Sequence, residues 1–484
     1  MPYIAKLEKA GIPTVTIDFQ DQRHMIKEWA ERMGVPKIRT IHEGRILPGP
    51  AEIDDWIEPL LNALTTPLTD EEKKHGMAQP PNQDRILFEG TLDEAEVFYQ
   101  QTQHVPSPVD APISIYTDGY PIRIPTEERV KEMLTGTSHK PDELIRYQHD
   151  ILMPSLGDVR PVETHKKGEV VQFQPSIWRT ANIEKVATIA VMAGCKPEHL
   201  PVVLAMSQSG CPTGTTGNQG QLSIVSGPVA KEIGMNTGCG LLNSGNPANV
   251  TIGRAYDLMA INLGGAVPGI TRMASQGTSI NRGGTCFAED VNGLPIGWSG
   301  LNEEHGYKKD ESIVMVMSAS AIRGQGFPPG THRAFQKSGH GGMARGLGVK
   351  GIPGPHNWLA YLLPIITPYA ETGRTFLMIP ELAHRLYEYG FKDKQDVYEW
   401  FWKATFEPVK DFRMRSGPDL TTNGWMGIEK TSGKHWKELP DDYIVPTKGD
   451  EPFANCIIVG GGEEEHCEII DGGRGTVYSI DAWR

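Results

Sequence analysis

Residues Thr180 to Met206 read TANIEKVATIAVMAGCKPEHLPVVLAM, and the period of this stretch decides the fold class. Ile183, Val186, Ala187, Ala190 and Val191 recur at helical spacing and paint one apolar face. Thr180 is the candidate N-cap, Glu184 suits the positive end of the helix dipole, and Gly194 suits a C-terminal cap. Pro197 favours the first turn of a helix, so a second, shorter helix is predicted after it. A hairpin this apolar has to be buried. It separates an α/β front from a Gly-rich middle, which places the chain in the α/β class.

Outward from the hairpin, the bulk numbers narrow the function classes. The chain has 484 residues, 38% hydrophobic and 22% charged, as for a globular protein with a large core. A formal charge of -13 argues against a nucleic-acid backbone or an anionic membrane as main partner. No run of about 18 apolar residues is long enough to span a bilayer. The opening MPYIAKLEKAG lacks a signal-peptide core, so a cytoplasmic location is expected. Six cysteines, none in a C-x-x-C pair, do not form a disulfide framework in a chain of this length.

Residues 1–68 read as a small α/β module. Ile4 and Leu7 share a helix face closed by Gly11, and PTVTIDF (Pro13 to Phe19) is a buried-type strand. A second amphipathic helix (24–33), a strand (37–42) and a third helix carrying Ile53, Ile57, Leu60, Leu61 and Leu64 complete an α-β-α-β-α order. That order implies a parallel sheet. A polar linker over 69–84 leads into a larger mixed α/β body over 85–484. The body holds the hairpin (180–206), Gly-rich loops (208–355) and a C-terminal α/β segment (356–484).

Within the body, Thr117-Asp118-Gly119-Tyr120-Pro121 is a turn whose polar groups suit ligand binding, or a plain surface turn. Thr126 caps the helix that follows. Thr251 is predicted to cap a helix over 252–263 with Arg254 in its first turn, where free N–H groups favour anions. The Gly-rich spacing matches neither a P-loop nor a dinucleotide fingerprint, so no nucleotide cofactor is assigned. His332, His340 and His356 have irregular spacings and no completing Cys or carboxylate, so substrate contact is preferred to a metal. Further on, Tyr398, Trp400, Phe401 and Trp402 on a helix read as core or subunit contacts. Cys456 to Val459 is a buried strand ending in Gly460-Gly461-Gly462, a loop placed where α/β sheets hold ligands.

Several segments together resemble one family. YTDGYPIRIPTEERV, IEKVATIAVMAGCKPEHLPVV, NVTIGRAYDLMAINLGGA and IPELAHRLYEYGFKDKQDVYEWFW occur in the order seen in UGSC-motif proteins, as does the ending CIIVGGGEEEHCEIIDGGRGTVYSI. These are selenocysteine- or cysteine-containing oxidoreductase-like proteins. The front module is similar to part of the selenoprotein B component of glycine and betaine reductases. The resemblance implies a reactive selenocysteine or cysteine just ahead of AKLEKAGIPTVTI. Here Met1-Pro2-Tyr3 stands at that point, and the first 19 residues contain no Cys. A partner subunit carrying that Cys or Sec, or loss of the redox role, is the implied consequence.

The chemical candidates follow from position and neighbours. Cys467 beside His466 is the thiol candidate, because a His lowers a thiol pKa, although Glu463 to Glu465 oppose it. His466 alone is a candidate acid/base, and Asp118 and Glu289 are candidate bases. Thr117, Gly119, Arg254, Cys286, His332, His340, Gly461, Gly462 and Arg474 are candidate substrate contacts, Arg254 and Arg474 as anion contacts. Cys195 reads as packing. The expected protein is an oligomeric enzyme or enzyme subunit acting on a small polar molecule. By resemblance, it performs thiol- or selenol-linked reductive or nucleophilic cleavage of a carbon–heteroatom bond. The alternatives are a non-redox lyase or hydrolase, or a non-catalytic subunit completing a partner's site.

Overall fold

The computed structural model describes residues 2–19, 23–43, 53–76, 84–107, 109–153, 163–173, 179–213, 220–272, 276–324, 374–411, 429, 431–446, 452, 455–462 and 467–484. Helices and strands mix throughout, and the class is α/β. In chain order the first elements are α1 (Pro2–Lys9), β1 (Val15–Phe19), α2 (Arg23–Arg32), β2 (Arg39–Glu43) and α3 (Asp54–Thr65). α4 (Leu92–Tyr99), β3 (Thr102–Val105), β4 (Ala111–Ser114), α5 (Glu127–Met133), β5 (Ile151–Met153) and β6 (Glu163–His165) open the body. Its centre holds α6 (Ile183–Ala193), α7 (Leu200–Ser207), β7 (Gly220–Ser226), α8 (Val229–Glu232), α9 (Pro247–Met259), β8 (Thr285–Ala288), α10 (Leu301–Glu304), β9 (Ile313–Ala319) and β10 (Ile322–Gly324). Last come β11 (Thr375–Met378), α11 (Pro380–Tyr389), α12 (Lys394–Ala404), β12 (Phe406–Pro408), β13 (Ile444–Pro446), β14 (Cys456–Val459), β15 (Cys467–Ile470) and β16 (Thr476–Ser479).

The N-terminal α-β-α-β-α order is present, with β1 and β2 paired in parallel from Val15–Arg39 to Phe19–Glu43. Gly11 takes φ +80 beyond α1, a conformation that costs glycine nothing. The expected linker is partly folded back onto this module. Arg39 makes a two-point ion pair with Glu72, and Thr69 caps the same carboxylate with its N–H and hydroxyl. This holds Glu72 down at about 2, chiefly through the Arg39 hydrogen bond.

The predicted hairpin is α6 and α7, entered through a 3-10 turn at Pro197–His199. The N-cap is Asn182, not Thr180: its Oδ1 accepts the Lys185 N–H at 3.0 Å. Gly194 closes α6 at φ 88, as its position suggested. Every residue of α7 is buried. The hairpin forms the main core with α9 and the face of a four-stranded sheet of order β16-β9-β7-β8. In that sheet β7 and β8 run parallel, and β8 is an edge strand.

A second four-stranded sheet, β10-β15-β11-β14, carries the C-terminal segment. α11 starts at Pro380 and α12 is capped by Asp393, and both pack on this sheet. Tyr398 and Phe401 are buried there, and Phe401 stacks on Phe376 with ring centres 4.2 Å apart. These aromatics are core. The two sheets meet where Asp290 N–H, just past β8, donates to Val459 O at the end of β14, 2.7 Å away. The last part of the Gly-rich loops and the start of the C-terminal segment, 325–373, lie outside the described residues. No helix among the described residues is long and apolar enough to cross a membrane.

Candidate functional site

α9 positions the site, and it begins earlier than its sequence suggests. Asn246, not Thr251, is the N-cap, with Oδ1 accepting the Asn249 N–H at 3.0 Å, and Pro247 is the first helical residue. Thr251 instead turns its hydroxyl back to Pro247 O. Arg254 is therefore in the helix interior, and the anion-binding N-terminus expected around it is not where Arg254 sits. Past Met259 the helix widens into a π turn over Ala260–Gly264, where Asn262 donates to Tyr116 O and ties α9 to the approach of the 117–121 turn.

Glycine sets how closely α9 meets β8. A Cβ on Gly253 would lie 2.9 Å from the Cys286 backbone N and 3.1 Å from Thr285, and Gly284 takes φ +70 against Gly253. Only glycines allow this approach. It places Arg254 beside the loop that enters β8.

There Arg254 meets Asp118. Its Nε donates to Oδ2 at 2.9 Å and its Nη2 to Oδ1 at 2.8 Å, the paired geometry of a guanidinium on a carboxylate. Nη2 also reaches Pro121 O at 2.8 Å, and the Tyr120 ring centre lies 5.9 Å from the guanidinium carbon. Thr117 is buried, and its hydroxyl accepts the Gly119 N–H at 3.2 Å, while Gly119 takes φ +88. Three candidates from the turn and one from α9 thus form a single unit. Asp118 is a salt-bridge acceptor in it.

This unit borders a cleft of about 640 Å³, closed on its other side by residues 276–283. Thr278, Ser279 and Asn281 offer hydroxyl and amide groups, and Arg282 lines the cleft too. No side chain among the described residues pairs with the Arg282 guanidinium. The wall is held by Asn281, whose Oδ1 accepts the Gln221 N–H at the start of β7.

Beneath this wall, one turn along α9 from Arg254, lies Asp257, 9% exposed. Burial pushes its carboxyl well above the ordinary carboxylate range, the charge of Asp118 adds to the shift, and Arg272 and the Gly284 N–H oppose it. Its Oδ2 has no hydrogen-bond partner among the described residues. Arg282, Asp257 and Arg272 were not singled out from the sequence. The usable signal was an Asp in GRAYDLMA, three residues after Arg254 and flanked by apolar residues.

The remaining candidates lie elsewhere. Gly461 (φ +89) and Gly462 follow β14, and Gly461 N–H donates to Thr237 O at 2.9 Å. Gly460 lies near Ala288 O, at the carboxyl end of β8, whereas the cleft lies at its amino end. The four residues of β8 hold the two places roughly 10 Å apart along the strand. The glycine loop and the Asp118–Arg254 unit are therefore two separate places, not one site. His466, His332 and His340 are outside the described residues.

The thiols are mostly core. Cys467 is fully buried in β15 among Phe376, Met378 and Ile469, and burial pushes its thiol well above the ordinary range. That environment stabilises the thiol over the thiolate and opposes a nucleophilic role. Cys286, in β8, is buried with its thiol pushed up in the same way, and it lies in the core. Cys195 is buried and raised to about 12, and Cys456 to about 11. Cys239, in the loop against Gly462, is the exposed one.

Glu289 and Arg474 serve another purpose. Lys394 on α12 contacts Glu289 at 2.9 Å and Glu304 at 3.6 Å, and Arg474 contacts Glu304 at 2.7 Å. Glu289 also accepts from Ser226 and from the Leu301 N–H. Burial works against the Lys394 charge, but Glu289 and Glu304 outweigh it and its pKa rises. All four charged side chains are buried and ion-paired with one another, which makes a lock between the sheets and commits Glu289 and Arg474 to it. Among the described residues no group of three His, Cys, Asp or Glu side chains is placed to hold a metal ion.

Comparison with protein-family models, with curated proteins and with solved structures finds no match for this chain.

Proposed function

We propose that this chain is an enzyme, or one subunit of an enzyme, that acts on a small anionic polar molecule held between the Thr117–Pro121 turn and residues 276–283. Arg282 carries the reading. Arg282 lines the cleft, its guanidinium has no side-chain partner among the described residues, and such a fork suits carboxylate or another oxyanion. Thr278, Ser279 and Asn281 add hydrogen-bonding groups, and Tyr120 adds a flat apolar face. A buried carboxyl at Asp257 beside the ion-paired Asp118 is the kind of divided carboxyl pair that supports proton transfer. The favoured chemistry is therefore acid/base, as in a lyase or hydrolase.

A second reading keeps the thiol- or selenol-linked cleavage that the resemblance to UGSC-motif proteins implies. The observation in its favour is Cys239, exposed beside Gly462. In that reading a Cys- or Sec-carrying partner subunit, an oligomeric assembly, or both complete the site.

A thermal-shift screen of small carboxylates, phosphates, neutral polyols and amines, run on wild type and on Arg282→Met, tests the first reading. Stabilisation by anions that is lost in the variant is expected. Stabilisation only by neutral or cationic compounds, or equal stabilisation of both proteins, overturns it.

A further inference from the structure

We infer that Arg272 and Asp257 form an inner subsite behind the cleft that takes the carboxylate of the small molecule bound there. The inference deepens the proposed function and rests on it.

The placement is as follows. Arg272 follows the turn after α9, where Gly269 N–H donates to Arg272 O and Thr271 bonds back to Gly265 O. Its guanidinium is largely buried near Tyr256 and Asp257, and its Nε has no hydrogen-bond partner among the described residues. Asp257 Oδ2 is likewise buried without a partner. Each side chain feels the other's charge, yet they do not meet as an ion pair. Buried donors and acceptors are nearly always satisfied, so two complementary orphans that feel each other's charge without pairing call for a bridging group. Gly284, which follows the cleft-lining Gly283, turns its N–H to Asp257, so this region adjoins the cleft.

The donor set selects the ligand. Arg272 stays charged and offers N–H donors. Burial first, and then the charge of Asp118, push the Asp257 carboxyl upwards, which favours its protonated form, a single O–H donor that does not repel an anion. A carboxylate accepts from both. A cation would face Arg272, and a neutral apolar group would leave both orphans unsatisfied. Arg282 then meets a second polar or anionic part of the same molecule in the outer cleft.

Calorimetric titration of acetate tests the subsite on wild type, Arg272→Met, Arg272→Gln, Asp257→Asn and Arg282→Met, each checked for a native urea transition. Wild type is expected to bind acetate. Either Arg272 variant weakens it by about tenfold or more, because a charged hydrogen-bond donor is lost. Asp257→Asn keeps a neutral donor and loses less than either Arg272 variant, while Arg282→Met also weakens acetate, as the cleft reading requires, but by less than the Arg272 variants do. A water bridging Arg272 and Asp257 would instead give no acetate binding to wild type, which overturns the inference. Acetate binding lost in Arg282→Met but intact in the Arg272 variants overturns the subsite and leaves the cleft reading standing. Acetate bound with equal strength by wild type and all variants overturns both.

Discussion

Arg254 grips both carboxylate oxygens of Asp118 across 136 residues of chain, at 2.9 and 2.8 Å. The pair ties the 117–121 turn to the interior of α9, and with it one wall of the cleft to the main core. Asp118 is 7% exposed and Arg254 17%, so the pair is well shielded from solvent.

Removing either partner alone leaves the other charge poorly solvated. Asp118→Asn and Arg254→Gln should each lower unfolding stability by about 1–3 kcal/mol, and the double variant by less than their sum. Urea midpoints of the four proteins give the coupling. Strict additivity would show that the contact contributes nothing.

The buried lock around Lys394 predicts a sharper contrast. Lys394→Met strands Glu289 and should cost about 3–5 kcal/mol. Lys403→Met removes an exposed i,i+4 pair with Glu399, screened by solvent, and should leave the unfolding midpoint almost unchanged. Chemical denaturation of the two variants decides it, and equal losses would contradict the structure.

Two buried groups bend the pH profile in opposite senses. His305 is depressed to about 4 from an ordinary 6.5, by burial first and then by Arg474. The unfolded chain takes up that proton first, so the stability it contributes is present above 6.5 and is lost as pH falls towards 4. His305→Asn should flatten that acid limb. Asp257 is shifted the other way: the folded chain keeps a proton that the unfolded chain releases above about 4. Its contribution therefore declines as pH rises, and Asp257→Asn should remove that decline. Urea midpoints across pH read both, and variants that track wild type would refute the assignments.

Accessibility orders the thiols. Brief iodoacetamide treatment of the native protein, read by peptide mass spectrometry, should label Cys239 well before Cys195, Cys211, Cys286, Cys456 and Cys467. Early labelling of Cys467 would restore it as a nucleophile.

Much of the fold was legible because it rests on local signals. The apolar period of α6, the Gly194 cap and the alternating front module all appear as their residues dictate. The misreadings have physical causes. Thr180 and Thr251 are good caps, but Asn182 and Asn246 lie where the chain actually turns. Adjacency made Cys467 attractive next to His466. Strand alternation then sends Cys467 into the core beside Ile469. Asp118 and Arg254 were each readable as polar residues with a purpose, but their pairing is tertiary. Arg272, Asp257 and Arg282 carry no motif, and only packing assembles them around one cleft.

The central claim is that an anion is held at the cleft by Arg282. Crystals soaked in selenate test it most directly, because the selenium marks the anion's position by anomalous scattering. The account predicts a peak beside the Arg282 guanidinium, between Tyr120 and Asn281. A peak at the Gly460–Gly462 loop, with none in the cleft, would contradict it.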